Sequence, residues 1–208
     1  MHRINSPAEP EFNHLIAIYR ASLPISEQKS SEALAAMVQS SGYFFLVAKQ
    51  QDSVVGFSIS LCFHQSNACL LEYMAVSPAH RGQGIGASLF MYTAKTGEIA
   101  QRYMLAEVDL DKALSHSRSD ESRRKMFYRR LGCREVEGLS YIMPPVSATV
   151  QPPAMELLVF KPGLPRFVTK SCLRSWLQSA YTQVYHQAAD DSRIDSMVRE
   201  LPDKIRLL

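Results

Sequence analysis

The chain has 208 residues, 46% of them hydrophobic and 21% charged, with a formal net charge of +3 at pH 7. That composition fits a soluble globular protein, long enough for one ordinary domain plus an extension. So small a charge does not point to nucleic acid, though it mildly favours an anionic ligand. No apolar run reaches the roughly 18–20 residues of a membrane span, so no membrane partner is expected. Residues 1–12 carry prolines and acids without an apolar core, unlike a secretory signal. Cys62, Cys69, Cys133 and Cys172 show neither metal nor redox spacing. No metal is expected, and a reducing cytoplasm is the expected location.

In chain order, Ser6-Pro7-Ala8-Glu9 reads as a capping box with proline at the first helical position. The helix it opens turns Phe12, Leu15, Ile16 and Tyr19 inward and ends at Leu23-Pro24. Residues 25–29 connect to a second helix, capped by Ser30 or Ser31, with Leu34, Met37 and Val38 inward and a stop at Ser41-Gly42. Residues 43–49 and 54–64 read as strands, with Gly56 marking a bulge. The turn Gln65-Ser66-Asn67 leads into a third strand over 70–76. Links this short make an antiparallel meander.

A helix over 84–99 follows, and then a strand over 103–109 that its helical crossover makes parallel to 70–76. Beyond it come a long polar connection (110–122), a helix (123–131) ended by Gly132 and a strand (139–143). A proline-rich excursion (144–153) leads to a last strand (154–160), expected to return antiparallel. The pattern predicts an α/β chain of the α+β type: a mixed, mostly antiparallel twisted sheet flanked by helices. Pro162-Gly163-Leu164-Pro165 marks a boundary between a domain of residues 1–160 and a helical extension of 161–208. In the extension Leu173, Trp176, Leu177, Ala180, Tyr181, Val184 and Tyr185 line one helix face; Ile194, Met197, Val198 and Leu201 line a shorter one. Either the same domain or a second copy, in a homodimer, must cover them.

Between the 70–76 strand and the helix after it stands Ser77-Pro78-Ala79-His80-Arg81-Gly82-Gln83-Gly84-Ile85-Gly86. A helix start preceded by glycines leaves backbone N–H groups without partners, and the dipole there favours an anion. Glycines also let the backbone approach where a Cβ would block it. The chemistry implied is pyrophosphate binding. A dinucleotide fold would place Gly-x-Gly-x-x-Gly directly after the strand, with a ribose-binding acid about 20 residues on. Here the spacing is Gly82-x-Gly84-x-Gly86, five residues after the strand, although Glu107 and Asp109 lie roughly where that acid would be.

The string Arg81-Gly82-Gln83-Gly84-Ile85-Gly86 resembles the Arg/Gln-x-x-Gly-x-Gly/Ala signature of the GCN5-related N-acetyltransferases, the GNAT family. The resemblance implies that these six residues cradle the pyrophosphate of acetyl-CoA. It further implies that the backbone of Ala75 and Val76 meets the pantetheine arm and supplies an oxyanion donor, and that residues 23–29 border the acceptor. Met126-Phe127-Tyr128-Arg129-Arg130-Leu131-Gly132-Cys133 resembles the family's Phe-Tyr-x-x-x-Gly-Phe segment, with Cys133 in place of the aromatic. There the tyrosine, here Tyr128, stands near the CoA sulfur and protonates the leaving thiolate. One position departs: seven residues before the tyrosine, where the family commonly has Asn, this chain has Glu121.

Only a neutral amine attacks a thioester, so the reaction calls for a base. Glu72 is the first candidate: it interrupts an apolar strand, on a pleat face shared with Leu70, Met74 and Val76. Burial there would raise its pKa unless an arginine or backbone group paired with it. Glu107, Asp109, His64 and His80 are the alternatives. Arg123, Arg124, Lys125, Arg129 and Arg130 make a basic helix, either solvated or in part a contact for the CoA 3′-phosphate. No cysteine or serine is placed for a covalent intermediate. The expected function is acetyl-CoA-dependent N-acetylation of a primary amine by direct attack, with a small-molecule acceptor favoured over a protein amine. The alternative is a catalytically silent or regulatory CoA-binding module.

Overall fold

Three residues without a readable period, His2–Ile4, form the edge strand β1. It pairs antiparallel with β2 (Tyr43–Gln50), Ile4 facing Phe45. The computed structural model describes residues 1–110, 120–145 and 152–208. They divide into two units: Met1–Cys62 with Leu71–Ala100, and Phe63–Leu70 with Gln101–Leu208.

In the first unit, the prolines decide where helix α1 begins. It runs over Pro10–Ser22 with Pro10, not Pro7, at its start, and Glu9 makes no side-chain cap. Residues 6–9 form a turn instead of a capping box. The Glu9 carboxylate accepts the N–H groups of Asn5 (2.7 Å) and Ser6 (3.0 Å), while Ser6 Oγ accepts that of Ala8. Helix α2 (Ser31–Gln39) is capped by Ser30, whose Oγ accepts the Ala33 N–H. Phe12, Leu15, Tyr19, Leu34 and Val38 from these helices bury against Phe45, Val47, Phe57 and Ile59.

Strand β3 (Ser53–Cys62) pairs antiparallel with β2. The register slips by one where Ala48 faces Gly56 and Lys49 faces Val54, so the expected irregularity sits at Gly56. The glycine has a second reason. A Cβ there would stand 3.0 Å from the Ala75 carbonyl oxygen and 3.4 Å from Val76 Cγ2, in strand β4 (Ala68–Val76). Gly56→Ala should therefore cost about 1–3 kcal/mol by overpacking. A thermal melt several degrees below wild type is the expected result; an unchanged midpoint would show that β4 yields freely.

Helix α3 covers Ile85–Thr93 and stops short of the expected Ile99. Its end tightens into i−3 bonds at Lys95 and Thr96, and Gly97 then adopts φ +47°. Leu89 and Ile85 pack with Ala48, Val55 and Met74 in a second cluster. A buried hydroxyl pair, Ser58 Oγ and Thr93 Oγ1 at 2.7 Å, ties the last turn of α3 to β3.

The second unit is built on β5 (Tyr103–Asp109) and β7 (Met155–Phe160), antiparallel with Glu107 opposite Leu157. Helix α4 spans Asp120–Arg130. The strand expected over 139–143 is absent. Instead Arg134–Glu135 forms β6, which takes the free edge of β7 and leaves it nothing to offer residues 139–143. Residues 111–119 of the long connection and 146–151 of the proline-rich excursion lie outside the described residues. Strands β1 to β7 form one mixed sheet flanked by helices, in the order β1-β2-β3-β4-β5-β7-β6.

The residues after 160 continue in the second unit. Strand β8 (Phe167–Thr169) pairs with β9 (Lys204–Arg206). Between them lie α5 (Lys170–Gln183), capped by Thr169, and α6 (Ser192–Val198). Trp176 is fully buried on α5, and its Nε1–H donates to Asn67 Oδ1 at 2.9 Å. Leu208 and Glu135 exchange backbone hydrogen bonds of 2.9 and 3.2 Å. Among the described residues no helix is long and apolar enough to cross a membrane.

Candidate active site

The loop after β4 is held open by its own polar groups. Ser77 N–H donates to the Val55 carbonyl at 2.9 Å, which fixes the end of β4. Pro78–His80 makes one 3₁₀ turn, and Arg81 Nε then reaches back to the Val76 carbonyl at 3.1 Å. Gly82 and Gly84 both adopt φ +78°, a left-handed conformation that side chains with a Cβ rarely take. A Cβ at either position would meet no protein atom within 4 Å. Packing therefore does not explain these glycines; backbone shape and the open space beside them do.

Gly84 is the N-cap of α3 and supplies no side-chain bond. The first amide to bond back within the helix is that of Ser88, to the Gly84 carbonyl at 3.0 Å. The N–H groups of Ile85, Gly86 and Ala87 precede it, at the end of the helix where the dipole favours an anion. Ile85 anchors the turn through its side chain in the second cluster, and Gln83 and Arg81 are exposed. Ala75 and Val76 are half-buried at the end of β4, beside Gly56.

Glu72 stands earlier on the same strand. The sequence puts it on the face of Met74, which packs with Ile85 and Leu89 of α3, while the alternate residues Tyr73 and Ala75 join the opposite cluster. Burial first, and then the negative charge of Glu72, drive the Tyr43 phenol far above its ordinary range. Burial does the same to Tyr73, and the neighbouring Tyr19 adds to it. The Tyr19 and Tyr73 rings meet edge to face at 5.1 Å. Tyr19 Oη also accepts the Lys29 N–H at 2.9 Å, tying the α1–α2 connection to this hydroxyl cluster. Tyrosines in a hydrophobic period read as core, so nothing in the sequence sets them apart.

Tyr128 lies in the second unit, on α4, and is 8% exposed. Its ring meets that of Phe127 at 5.2 Å. Burial raises its phenol well above the ordinary value, the nearby Cys133 adds to this, and the Arg124 charge opposes it. Tyr128 therefore stays a neutral phenol, a hydrogen-bond donor, at any physiological pH. Three residues of the basic helix are committed elsewhere. Arg124 pairs with Asp109 (2.6 Å), Lys125 bridges Glu135 (3.0 Å) and Glu156 (2.6 Å), and Arg129 reaches Glu135 at 3.3 Å. Asp109 is thus held by Arg124, and His64 is exposed.

Glu107 is bound on both oxygens by phenols: Tyr141 donates to Oε1, and Tyr185, just past the end of α5, to Oε2 at 2.5 Å. Burial raises its pKa above the ordinary 4.5, outweighing the two hydrogen bonds, which lower it. Between the unfolded and folded values the native protein holds the extra proton, so stability should fall as pH rises from about 4.5 upward. Glu107→Gln should flatten that part of a melting-temperature profile against pH. An equal slope in both proteins would refute the assignment.

A strand, a left-handed glycine loop and an open helix start, set on a mixed sheet flanked by helices, form the fold that the comparisons with known proteins match. Residues 41–135 match the family described as an acetyltransferase (GNAT) domain. Among solved structures, a putative acetyltransferase of the GNAT family from Bacteroides thetaiotaomicron aligns with TM-score 0.72 and 20% identity, over 90% of this chain and 98% of that one. An aminoglycoside 6′-N-acetyltransferase complexed with coenzyme A gives 0.58 and 20%, over 80% and 99%. The ribosomal-protein-S18-alanine N-acetyltransferase from Escherichia coli gives 0.50 and 17%, over 76% and 91%. A search of curated proteins finds no match.

Proposed function

We propose that the protein transfers the acetyl group of acetyl-CoA to a primary amine by direct attack, and that the amine belongs to a small molecule in the cytoplasm. The observation that carries the cofactor is the pair of left-handed glycines ahead of α3, which have no packing role and face open space. The amides from Arg81 to Gly86 are the proposed pyrophosphate cradle, and the backbone of Ala75 and Val76 the pantetheine contact and oxyanion donor. When bound, acetyl-CoA supplies the activated acyl carbon.

In this reading Glu72 takes a proton from the ammonium, and the neutral nitrogen attacks the thioester carbon. The C–N bond forms, the C–S bond breaks, and one proton is released overall. A phenol with a raised pKa is a poor outright acid toward a thiolate, whose conjugate thiol has a pKa of about 8.5. Tyr128 therefore serves as hydrogen-bond donor to the departing sulfur, passing its proton only as it gains another. Support for a small acceptor comes from the aminoglycoside enzyme among the structural neighbours; the ribosomal-protein enzyme is why a protein amine stays the second choice.

The test is calorimetric titration with acetyl-CoA against NADH as control, followed by thiol release over a panel of amines. Binding of acetyl-CoA alone with amine-dependent thiol release is the expected result. Binding without turnover on any amine would favour a regulatory CoA-binding module. Binding of neither, or of NADH alone, would overturn the cofactor.

A further inference from the structure

Residues 139–142 pair with no strand, and side chains from three other elements hold them instead. Tyr141, 8% exposed, donates its hydroxyl to Glu107 Oε1 on β5. Ile142 exposes its side chain, so burial does not anchor it. Its backbone is met on both sides by the C-terminal helices. The carbonyl accepts from Tyr181 Oη of α5, and the N–H donates to Met197 Sδ of α6 at 3.2 Å. Tyr185, just past α5, takes the other oxygen of Glu107. The segment leaves β6 by way of Gly138, at φ +77°. Residues 136–141 also line a cavity of about 350 Å³, together with Met155 and Leu157 of β7.

We propose that residues 139–142 form a strap fastened by α5 and α6, and that Glu107 is its proton-controlled latch, closed while the carboxyl is neutral and released when it ionises. Leu157 faces Glu107 from β7, and Tyr141 and Tyr185 cover its two oxygens. Tyr181, which holds the Ile142 carbonyl, lies close enough to feel its charge. The charges beyond are paired among themselves. Arg193, 5.5 Å from the Tyr181 ring, meets Asp191 at 2.6 Å, and Asp109 of β5 meets Arg124 of α4 at 2.6 Å. A neutral carboxyl keeps acceptor capacity on both oxygens, so both phenols stay bound. Once it ionises, only the two phenols among the described residues bond to the buried charge, and burial outweighs them.

Release returns water to the carboxylate and removes that penalty. The Glu107 O–H bond breaks, its proton passes to water, and the anion is solvated in the open form. Between the ordinary value of 4.5 and the higher value of the closed form, each pH unit multiplies the open-to-closed ratio by up to about ten. Below that window the ratio is constant. Opening carries residues 139–141 away from the cavity they line, so rising pH widens it. The latch needs no cofactor and operates whether or not acetyl-CoA occupies the glycine loop.

Amide hydrogen exchange at Ile142, corrected for the intrinsic effect of pH, reads the latch, with the amides of the β5–β7 ladder as reference. In wild type Ile142 should exchange faster than the ladder, and its protection should fall by up to about tenfold per unit as pH rises above 4.5. Glu107→Gln cannot ionise and should show no such fall. Tyr181→Phe should keep the fall but lose roughly fivefold in protection at every pH, the scale of one hydrogen bond. A merely structural Glu107 would give wild type and Glu107→Gln the same pH profile. That result overturns the latch, and so does a flat wild-type profile or exchange of Ile142 in step with the ladder. The last two are read on wild type alone, should Glu107→Gln not fold. Unchanged protection in Tyr181→Phe overturns the fastening by α5.

Discussion

Gly84→Val should raise the Kd for acetyl-CoA by about 10- to 100-fold while lowering the melting temperature by no more than a few degrees. Gly84 holds φ +78°, and a residue with a Cβ gives up roughly 1–2 kcal/mol to stay there. A β-branched side chain fits that region worst of all. The loop must then either bear the strain or turn its amides away, and a tenfold change in Kd needs only about 1.4 kcal/mol. The second contribution is steric. The Cβ would project into space with no protein atom within 4 Å, the space assigned to the pyrophosphate. Because the loop is exposed and the new side chain touches nothing, the folded core does not register the change. Calorimetry and a melt on the same sample check both halves. An unaltered Kd would mean that the ligand lies elsewhere.

Tyr128→Phe should lower kcat by about 100-fold or more, within the usual range for a proton-transferring side chain, with the Kd for acetyl-CoA within about twofold of wild type. The ring remains, so its contact with Phe127 and its burial on α4 survive. Only the donor is lost, and it is needed when charge builds on sulfur and not when the thioester is merely bound. Stopped-time thiol release gives kcat and calorimetry gives Kd. Equal turnover in the two proteins would assign Tyr128 to packing alone.

Local chemistry made the glycine loop readable. Two residues forced into left-handed conformations, a stop at Ser77-Pro78 and a helical period after Gly84 all lie within about a dozen positions. Strands β2, β3 and β4 were legible for a similar reason, since their aromatic and β-branched runs suit a pleated, half-buried surface. What stayed hidden depends on partners far along the chain. Strand β1 buries only Ile4, and its existence follows from the free edge of β2 some 40 residues later. Strand β6 is two charged residues long and exists because β7 needs a neighbour.

The candidate site divides along the same line. The sequence names Glu72 as an acid inside an apolar strand, yet Tyr43, whose phenol feels its charge, looks like any other core aromatic. Glu107 reads as a candidate base until Tyr141 and Tyr185 close on it from 34 and 78 residues away. Periodicity reports which residues are buried; it carries no record of which hydroxyl meets which carboxylate.

Ser58 and Thr93 give α3 a fulcrum. The pair lies at 2.7 Å, both residues fully buried, and Thr93 Oγ1 also bonds the Leu89 carbonyl at 2.8 Å. The far end of a helix little more than two turns long is thereby riveted to β3, while its near end opens through two glycines. Any rearrangement that a ligand provokes must be absorbed in the first turn and the loop, because the helix cannot slide along its axis without breaking a dry hydroxyl contact. The grip on the proposed pyrophosphate is then set by a hinge of about four residues working against a fixed rod, and evolution or design can retune it there without disturbing the core behind.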